Sequence, residues 1–262
     1  MSLQTLDPTE KDVLSFWVLT DPHLFHDDNG ALMGIPTWQS FTAAEALVDV
    51  PADAWLLTGD LAQDHKLDTY LKLKGHLGAK PWYWVAGNHD DPAAMAQAFG
   101  PPVKRLHNKH WQVLLLNSHD PGKVSGWLAE EELAWVERWA SADLHTLVVL
   151  HHHPLPCQST WLDHHQLKNG QALMARLAAY PKAKAVLFGH IHQEVDQEVD
   201  GVRLLATPST CVQFKPHSHD FAVDAQSPGG RYLALLPNGR IDTRVVRLAQ
   251  GQFQPDANAS GY

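Results

Sequence analysis

Sulfur, basic charge and long apolar runs are all scarce in this chain of 262 residues. Only two cysteines occur, Cys157 and Cys211. A disulfide framework is therefore not expected, and a reducing, cytoplasmic setting is. Lysine and arginine number 20 against 29 acidic residues, for a formal charge of −9. That balance excludes the basic surface on which non-specific binding to duplex nucleic acid depends. It does not exclude a small anionic substrate, because a bound metal reverses the local field. The longest apolar runs, such as Phe16-Trp17-Val18-Leu19, fall far short of the roughly 20 residues that cross a bilayer. Residues 1–9 carry no basic cluster followed by an apolar stretch, so no signal peptide is expected. Repeats, linkers and low-complexity tracts are also missing. What the chain does have is histidine and tryptophan, 18 and 10 respectively, and enough length to bury a substantial core.

Hydrophobic periodicity orders that core. Short apolar runs at 15–20 (SFWVLT), 54–58 (AWLLT), 82–86 (WYWVA), 113–116, 146–150 (TLVVL) and 185–188 (AVLF) read as buried strands. Between them, 38–50, 65–77, 128–140 and 167–180 show helical spacing, and Asp91-Pro92 opens a short further helix. Past residue 190 the pattern becomes antiparallel. Segments 194–200 and 202–206 flank Asp200-Gly201, and 232–236 and 241–248 flank Asn238-Gly239, both strong hairpin signals. The expectation is one α/β domain over 1–262, with 252–262 as a loose polar tail. Trp127, Trp135 and Trp139 have the spacing of core residues on or before a helix.

Five of the apolar runs end on residues that bind metals: Asp21-Pro-His23, Gly59-Asp60, Gly87-Asn88-His89-Asp90, His151-His152-His153-Pro154 and Gly189-His190-Ile-His192. A parallel sheet delivers the carboxyl ends of its strands to one edge, so these segments can converge. Taken singly, Asp21-Pro-His23 and Gly59-Asp60 are ordinary turns, and any one histidine can be structural. Asn88 offers a neutral carbonyl oxygen, His89 can face an anion, and Asp90 can orient His89 and raise its basicity. Alternation along a strand lets at most two of the three consecutive histidines face one cleft, while His190 and His192 share a side. Jointly the set is two aspartates, one asparagine and four histidines, with no thiolate. Oxygen and nitrogen donors of this kind suit iron, manganese, zinc or cobalt. Seven are too many for one tetrahedral ion, and they suit two ions sharing a carboxylate.

The order D-x-H, G-D, G-N-H-D, H-x-P, G-H-x-H resembles that of the calcineurin-like metallophosphoesterases. HHHPLPCQSTWLDHHQLKNG, VLFGHIHQEVD and RLLATPSTCVQFKP are similar to the class III bacterial 3′,5′-cyclic AMP phosphodiesterases, over nearly the whole chain. The resemblance implies a four-layer α/β/β/α fold, with two central mixed β-sheets flanked by helices. It implies one metal at Asp21, His23 and His192, a second at Asn88, His152 and His190, and Asp60 bridging them. The H-x-P form selects His152, with His151 and His153 turned elsewhere. The implied cofactor is an iron ion paired with iron or manganese, zinc or cobalt being alternatives.

The implied reaction converts cyclic AMP to 5′-AMP by attack of a bridging hydroxide on phosphorus. His89 serves the leaving oxygen, Asp90 supports it, and the phosphate contacts His23, Asp60, Asn88, His89 and His192. Two other readings stand beside this one. The first is a broader phosphodiesterase acting on 2′,3′-cyclic nucleotides, nucleotide-sugar pyrophosphates or nucleic-acid ends. The second is a non-catalytic scaffold, against which every ligand position is filled. Asp163, His164, His165 and Asn169 can line a nucleotide pocket or form a polar loop. Phe214 can stack on a base or lie buried, and the two cysteines read as packed thiols.

Overall fold

The structure is a computed structural model, which describes residues 11–140, 143–256 and 259. The expectations for residues 1–9 and for tail residues 257, 258 and 260–262 lie outside the described residues. Where that tail is described, Phe253 packs on the core and the Asp256 N–H donates to the Met33 carbonyl at 2.8 Å.

The chain begins with β1 (Leu14–Leu19), a two-residue pair β2 (Ala31–Leu32) and β3 (Ile35–Pro36), and α1 (Thr37–Glu45). β4 (Ala54–Leu57), α2 (Leu67–Leu77), β5 (Trp82–Trp84) and α3 (Pro92–Phe99) follow. Next come β6 (Arg105–His107), β7 (Trp111–Leu115), α4 (Glu130–Ala140), β8 (His145–Val149), α5 (Thr160–Asp163), α6 (Gly170–Ala178) and β9 (Ala183–Phe188). The last stretch is β10 (Val195–Val199), β11 (Val202–Ala206), β12 (Gln213–Phe214), β13 (Val223–Asp224), β14 (Gly229–Leu235) and β15 (Ile241–Arg247).

Two mixed sheets result, ordered β15-β14-β1-β4-β5 and β10-β11-β9-β8-β7-β6. In the first, β1, β4 and β5 are parallel, and the β14–β15 hairpin adds antiparallel to β1. In the second, β11, β9, β8 and β7 are parallel, with antiparallel β10 and β6 at the edges. The two hairpins seen in the sequence thus serve different sheets.

Strand alternation builds the layers, because successive side chains point to opposite faces. Phe16, Val18 and Leu56 of the first sheet meet Val113, Leu147 and Leu187 of the second between the sheets. Their neighbours Trp17, Leu19, Trp55 and Leu57 face outward onto Phe41, Tyr70, Leu73 and Met95 of α1–α3. On the far side Leu114, Val148, Val186 and Leu204 pack on Leu133 and Val136 of α4 and Leu173 and Leu177 of α6. That is the expected α/β/β/α order.

Some sequence expectations shift in detail. The helix expected over 38–50 ends at Glu45, because the chain tightens into i→i+3 bonds, Leu47 N–H to Ala44 and Val48 N–H to Glu45. Trp127, expected in the core, stands 51% exposed ahead of α4, whereas Trp135 and Trp139 pack partly against the helical layer.

Candidate metal centre

The carboxyl ends of β1, β4, β5, β8 and β9 lead into five loops, and the polar residues on them are buried where such strands end. Asp21, His23, Asp60, His151, His152, His153 and His192 show no exposure, and His190 shows 4%. The loops hold one another: Asp21 N–H donates to Gly59 O, His23 N–H to Asp60 O, and Gly189 N–H to His151 O. Five of the site residues lie in the left-handed region, Asp21 (φ 50), His23 (47), Asp60 (50), His190 (67) and His192 (50). At His190 the chain makes a γ-turn, with Ile191 N–H donating to Gly189 O at 2.7 Å. Each such residue costs on the order of 1–3 kcal/mol and persists only where its surroundings enforce it. The strain turns side chains at the strand ends toward a single point. Gly87 must be glycine for the same reason, since a Cβ there would collide with the Asp60 carboxylate and backbone.

The imidazoles show what the point is for. His192 Nδ1–H donates to Val212 O at 2.9 Å, His151 Nδ1–H to Thr58 O at 2.8 Å, and His190 Nε2–H to His165 O at 3.1 Å. Carbonyl oxygens only accept, so these bonds put the proton on the outer nitrogen. His23 Nδ1 is likewise 2.7 Å from Gln63 Oε1. On His23, His190 and His192 the inner nitrogen therefore carries a lone pair. Two of these face each other, His23 Nε2 to His192 Nε2 at 3.2 Å, an arrangement that repels unless a cation lies near both. His190 Nδ1 instead faces His151 Nε2 at 3.2 Å, and His151 Nε2 also points at the acceptor oxygens of Asp60 and Asn88, where a proton or a metal ion satisfies all of them.

Carboxylates complete both clusters. His192 Nε2 is 3.2 Å from Asp21 Oδ1, and His151 Nε2 is 3.2 Å from both Asp60 Oδ2 and Asn88 Oδ1. Asp60 Oδ2 is buried without a hydrogen-bond partner among the described residues, although Oδ1 accepts the His89 N–H at 2.8 Å. An unpartnered carboxylate oxygen ringed by imidazole nitrogens is the environment of a metal ligand, since an isolated buried charge is otherwise expensive. Asp21 and His23 join His192 in one group of candidate ligands, and Asp60 joins Asp21 with His151 in another. The donor set fits two cations with Asp60 between them.

The electrostatics agree. Burial pushes the His23 imidazole down to about 3, against the pull of Asp60. Burial likewise holds His152 and His190 well below the usual histidine range, with His151 adding to both shifts. Burial would raise the Asp60 carboxyl, yet His151 and His89 outweigh it and hold it well below the ordinary value. Burial also works against charge on His151, but Asp60 lifts it to about 9. The field that would keep a proton on His151 is the field that would hold a cation.

Two expected residues sit in a geometry that differs from the expectation. His152 lies within ligand reach of His151 and His190, but its Nδ1 is bonded to Ser118 Oγ at 2.8 Å and its Nε2 to Val124 O at 3.1 Å. His151 takes the inward position. Strand alternation could not decide this, because β8 ends at Val149 and the chain turns after it. Asp90, expected to orient His89, instead accepts Leu61 N–H, Ala62 N–H and Tyr70 O–H on Oδ1 and Gly87 N–H on Oδ2. It clamps the Asp60 loop to the Gly87-Asn88 loop. Asp21, His23, Asp60, Asn88, His190 and His192 come together as expected. His89 lies beside them, its ring edge-on to His23 at 5.1 Å, on the open side.

The sequence reading missed the groups that hold rings in place, Gln63, Ser118 and the carbonyls of Thr58, His165 and Val212, and missed Tyr70, which holds the Asp90 carboxylate. Backbone carbonyls carry no sequence signal, but Gln63, three residues past Asp60, could have been suspected. Phe214 is buried and stacks on His192 at 4.2 Å and 13°, behind the site. Asn169 braces the start of α4, exchanging bonds with Leu128 N–H and O.

With this geometry in hand, the comparisons with known proteins are direct. The profile of the calcineurin-like phosphoesterases matches residues 14–194. The 3′,5′-cyclic adenosine monophosphate phosphodiesterase CpdA of Escherichia coli (strain K12) is 42% identical, over 100% of this chain and 99% of that protein. Its counterpart in Vibrio vulnificus (strain CMCP6) is 40% identical, over 98% of each. Among solved structures, a dimetal phosphatase from Danio rerio superposes with a TM-score of 0.61 at 13% identity, over 91% of this chain and 100% of that one. At that identity the likeness shows the fold.

Proposed function

The chain belongs to the calcineurin-like phosphoesterase family, and from that premise we propose that it hydrolyses 3′,5′-cyclic AMP to 5′-AMP. One observation carries the reading. Imidazole lone pairs from two sheets converge on an unpartnered Asp60 oxygen, in a chain about 40% identical throughout to proteins named as cyclic AMP phosphodiesterases.

In this proposal Asp21, His23 and His192 hold one ion, Asn88, His151 and His190 hold the other, and Asp60 is shared. When bound, a pair of such ions supplies Lewis-acid charge against the phosphate and makes water acidic enough to act as a nucleophile near neutral pH. The remaining work falls to the chain itself. Carbonyl acceptors on Val212, Thr58 and His165 fix ring tautomers, so that the inner nitrogens are ready as donors of electron pairs. Asp90 keeps the Asp60 and Asn88 loops in register. Asn88 has its amide N–H groups to offer the phosphate, while its Oδ1 faces His151. His89, held through its backbone N–H by Asp60, presents its ring N–H to the departing ribose 3′-oxygen, and such help is worth typically about 10²–10⁴-fold.

Oxygen and nitrogen donors without thiolate support iron paired with iron or manganese, with zinc or cobalt as substitutes. The formal charge of −9 supports a small-molecule substrate over duplex nucleic acid. No helix among the described residues is long and apolar enough to cross a membrane. The cytoplasm, where cyclic AMP is made and the two cysteines stay reduced, is the proposed location.

The test is kinetic. Metal-loaded protein is assayed on 3′,5′-cyclic AMP, 3′,5′-cyclic GMP, 2′,3′-cyclic AMP, a nucleotide-sugar pyrophosphate and an oligonucleotide end. The proposal expects the highest kcat/KM on cyclic AMP with 5′-AMP as product. Efficient cleavage of another ester with cyclic AMP untouched would overturn it.

A further inference from the structure

Behind the second cluster lies a group of side chains that the phosphodiesterase reading does not use. His153 is fully buried, and neither of its ring nitrogens has a hydrogen-bond partner among the described residues. Two orphaned nitrogens on one buried ring are unusual, since the great majority of buried polar atoms are paired and each unpaired one costs about 1–3 kcal/mol. The ring is aimed at something specific. Its Nε2 stands 3.8 Å from Asp163 Oδ1, and His153, Cys157 and Asp163 place one ligand atom each within 4.8 Å of one another.

The spacing is too long for a hydrogen bond and close to what a cation needs. Four-coordinate zinc with bonds of about 2.0–2.3 Å sets neighbouring N, O and S donors about 3.3–3.6 Å apart. The His153–Asp163 pair would contract by only a fraction of an ångström. The carboxylate is already oriented, because Asp163 Oδ1 accepts the Cys157 N–H at 2.7 Å. The histidine is anchored through its carbonyl, which accepts Leu167 N–H at 3.0 Å. A cavity of about 250 Å³, bordered by Cys157, Gln193 and His217, reaches the cysteine member of the group.

We propose that His153, Cys157 and Asp163 form a third metal site, selective for a borderline-soft divalent cation such as Zn(II). The donor chemistry sets it apart from the strand-end clusters. Those offer only oxygen and nitrogen, whereas this one adds a sulfur that favours zinc over manganese or magnesium. Binding forms the metal–sulfur bond and breaks the Cys157 S–H bond, releasing one proton to solvent. The site also touches the other centre, since the His153 ring stacks on His190 at 5.5 Å and 22°. Neither the donor set nor its test depends on the substrate of that centre.

The experiment uses the full chain stripped of metal and titrated with Co(II), followed by absorption. Only a thiolate ligand gives a sulfur-to-cobalt charge-transfer band in the near ultraviolet, and the strand-end clusters contain no thiol. The band is expected in the wild-type chain, is bleached by Zn(II), and is lost in Cys157→Ser. In Asp163→Asn the same band requires about tenfold or more Co(II), the range typical for loss of one supporting ligand. A wild-type chain without the band at saturating Co(II) would overturn the proposal. So would a band that survives in Cys157→Ser, or one that forms with unchanged affinity in Asp163→Asn.

Discussion

The two ends of β1 and β4 treat a carboxylate in opposite ways. At the amino end Asp53 is fully employed: Oδ2 accepts the Ser15 N–H at 2.8 Å and the Ser15 O–H at 2.9 Å, and Oδ1 takes Lys11 at 2.5 Å. At the carboxyl end, about 20 Å along the same strands by rise per residue, Asp60 is buried with one oxygen unpartnered among the described residues. The first arrangement ties a strand to its neighbour. The second uses one oxygen to hold the His89 N–H and leaves the other facing imidazole nitrogens, and it belongs to a set of five left-handed residues that add strain. The contrast separates groups that hold the fold from groups that the fold holds ready.

Substitutions at the carboxyl end should break activity first. The largest effect is expected for His151→Ala, which removes a donor beside Asp60 and should lower kcat/KM on cyclic AMP by about 10³-fold or more. His152→Ala should behave as a packing change instead. Its bonds to Ser118 and Val124 are worth about 1–3 kcal/mol of stability, and turnover should fall far less. Thermal melts and steady-state kinetics on both variants decide the assignment, and equal loss of turnover would contradict it.

Next comes Gly87→Ala. A Cβ there meets Asp60, and a displacement of about 1 Å at such a group costs on the order of 10²-fold in rate. Bound Mn(II) and kcat should both fall. Tyr70→Phe tests the clamp beneath the loops, since the hydroxyl donates to Asp90 and accepts Asp91 N–H, each at 3.0 Å. About 1–2 kcal/mol of stability should go, with kcat within a few-fold of wild type.

The smallest effect belongs to the amino end. Burial alone would raise the Asp53 carboxyl, but Lys11 and Ser15 outweigh it and the folded value is lowered. A group lowered in the folded state contributes above its unfolded pKa, about 3.9, and loses that contribution as pH falls through the folded value. Asp53→Asn should therefore cost about 0.5–1.5 kcal/mol at pH 7 and progressively less in acid, with activity unchanged. A constant penalty across that range would contradict the assignment.

The same contrast explains what the sequence disclosed. Apolar runs ending on Asp21, Asp60, Asn88, His190 and His192 were legible, because β-strand burial and strand-end chemistry are both written in local order. The layer order was legible only through the family resemblance. The choice within His151–His153 was not readable, because alternation needs a strand and the chain has already left β8. Nor was the clamp at Asp90, whose partners lie 20–29 positions away at Tyr70, Leu61 and Ala62. His153, Cys157 and Asp163 are near in sequence, but only the turn into α5 shows that they share one space.

The most direct test of the account follows turnover against bound metal. Mn(II), which favours oxygen and nitrogen donors over thiolate, is returned stepwise to stripped wild-type protein, and bound ion and cyclic AMP hydrolysis are measured on the same samples. The account predicts no turnover without metal and a rate that saturates at two bound ions per chain. Undiminished hydrolysis after stripping, or a rate that saturates with a single ion, would contradict it.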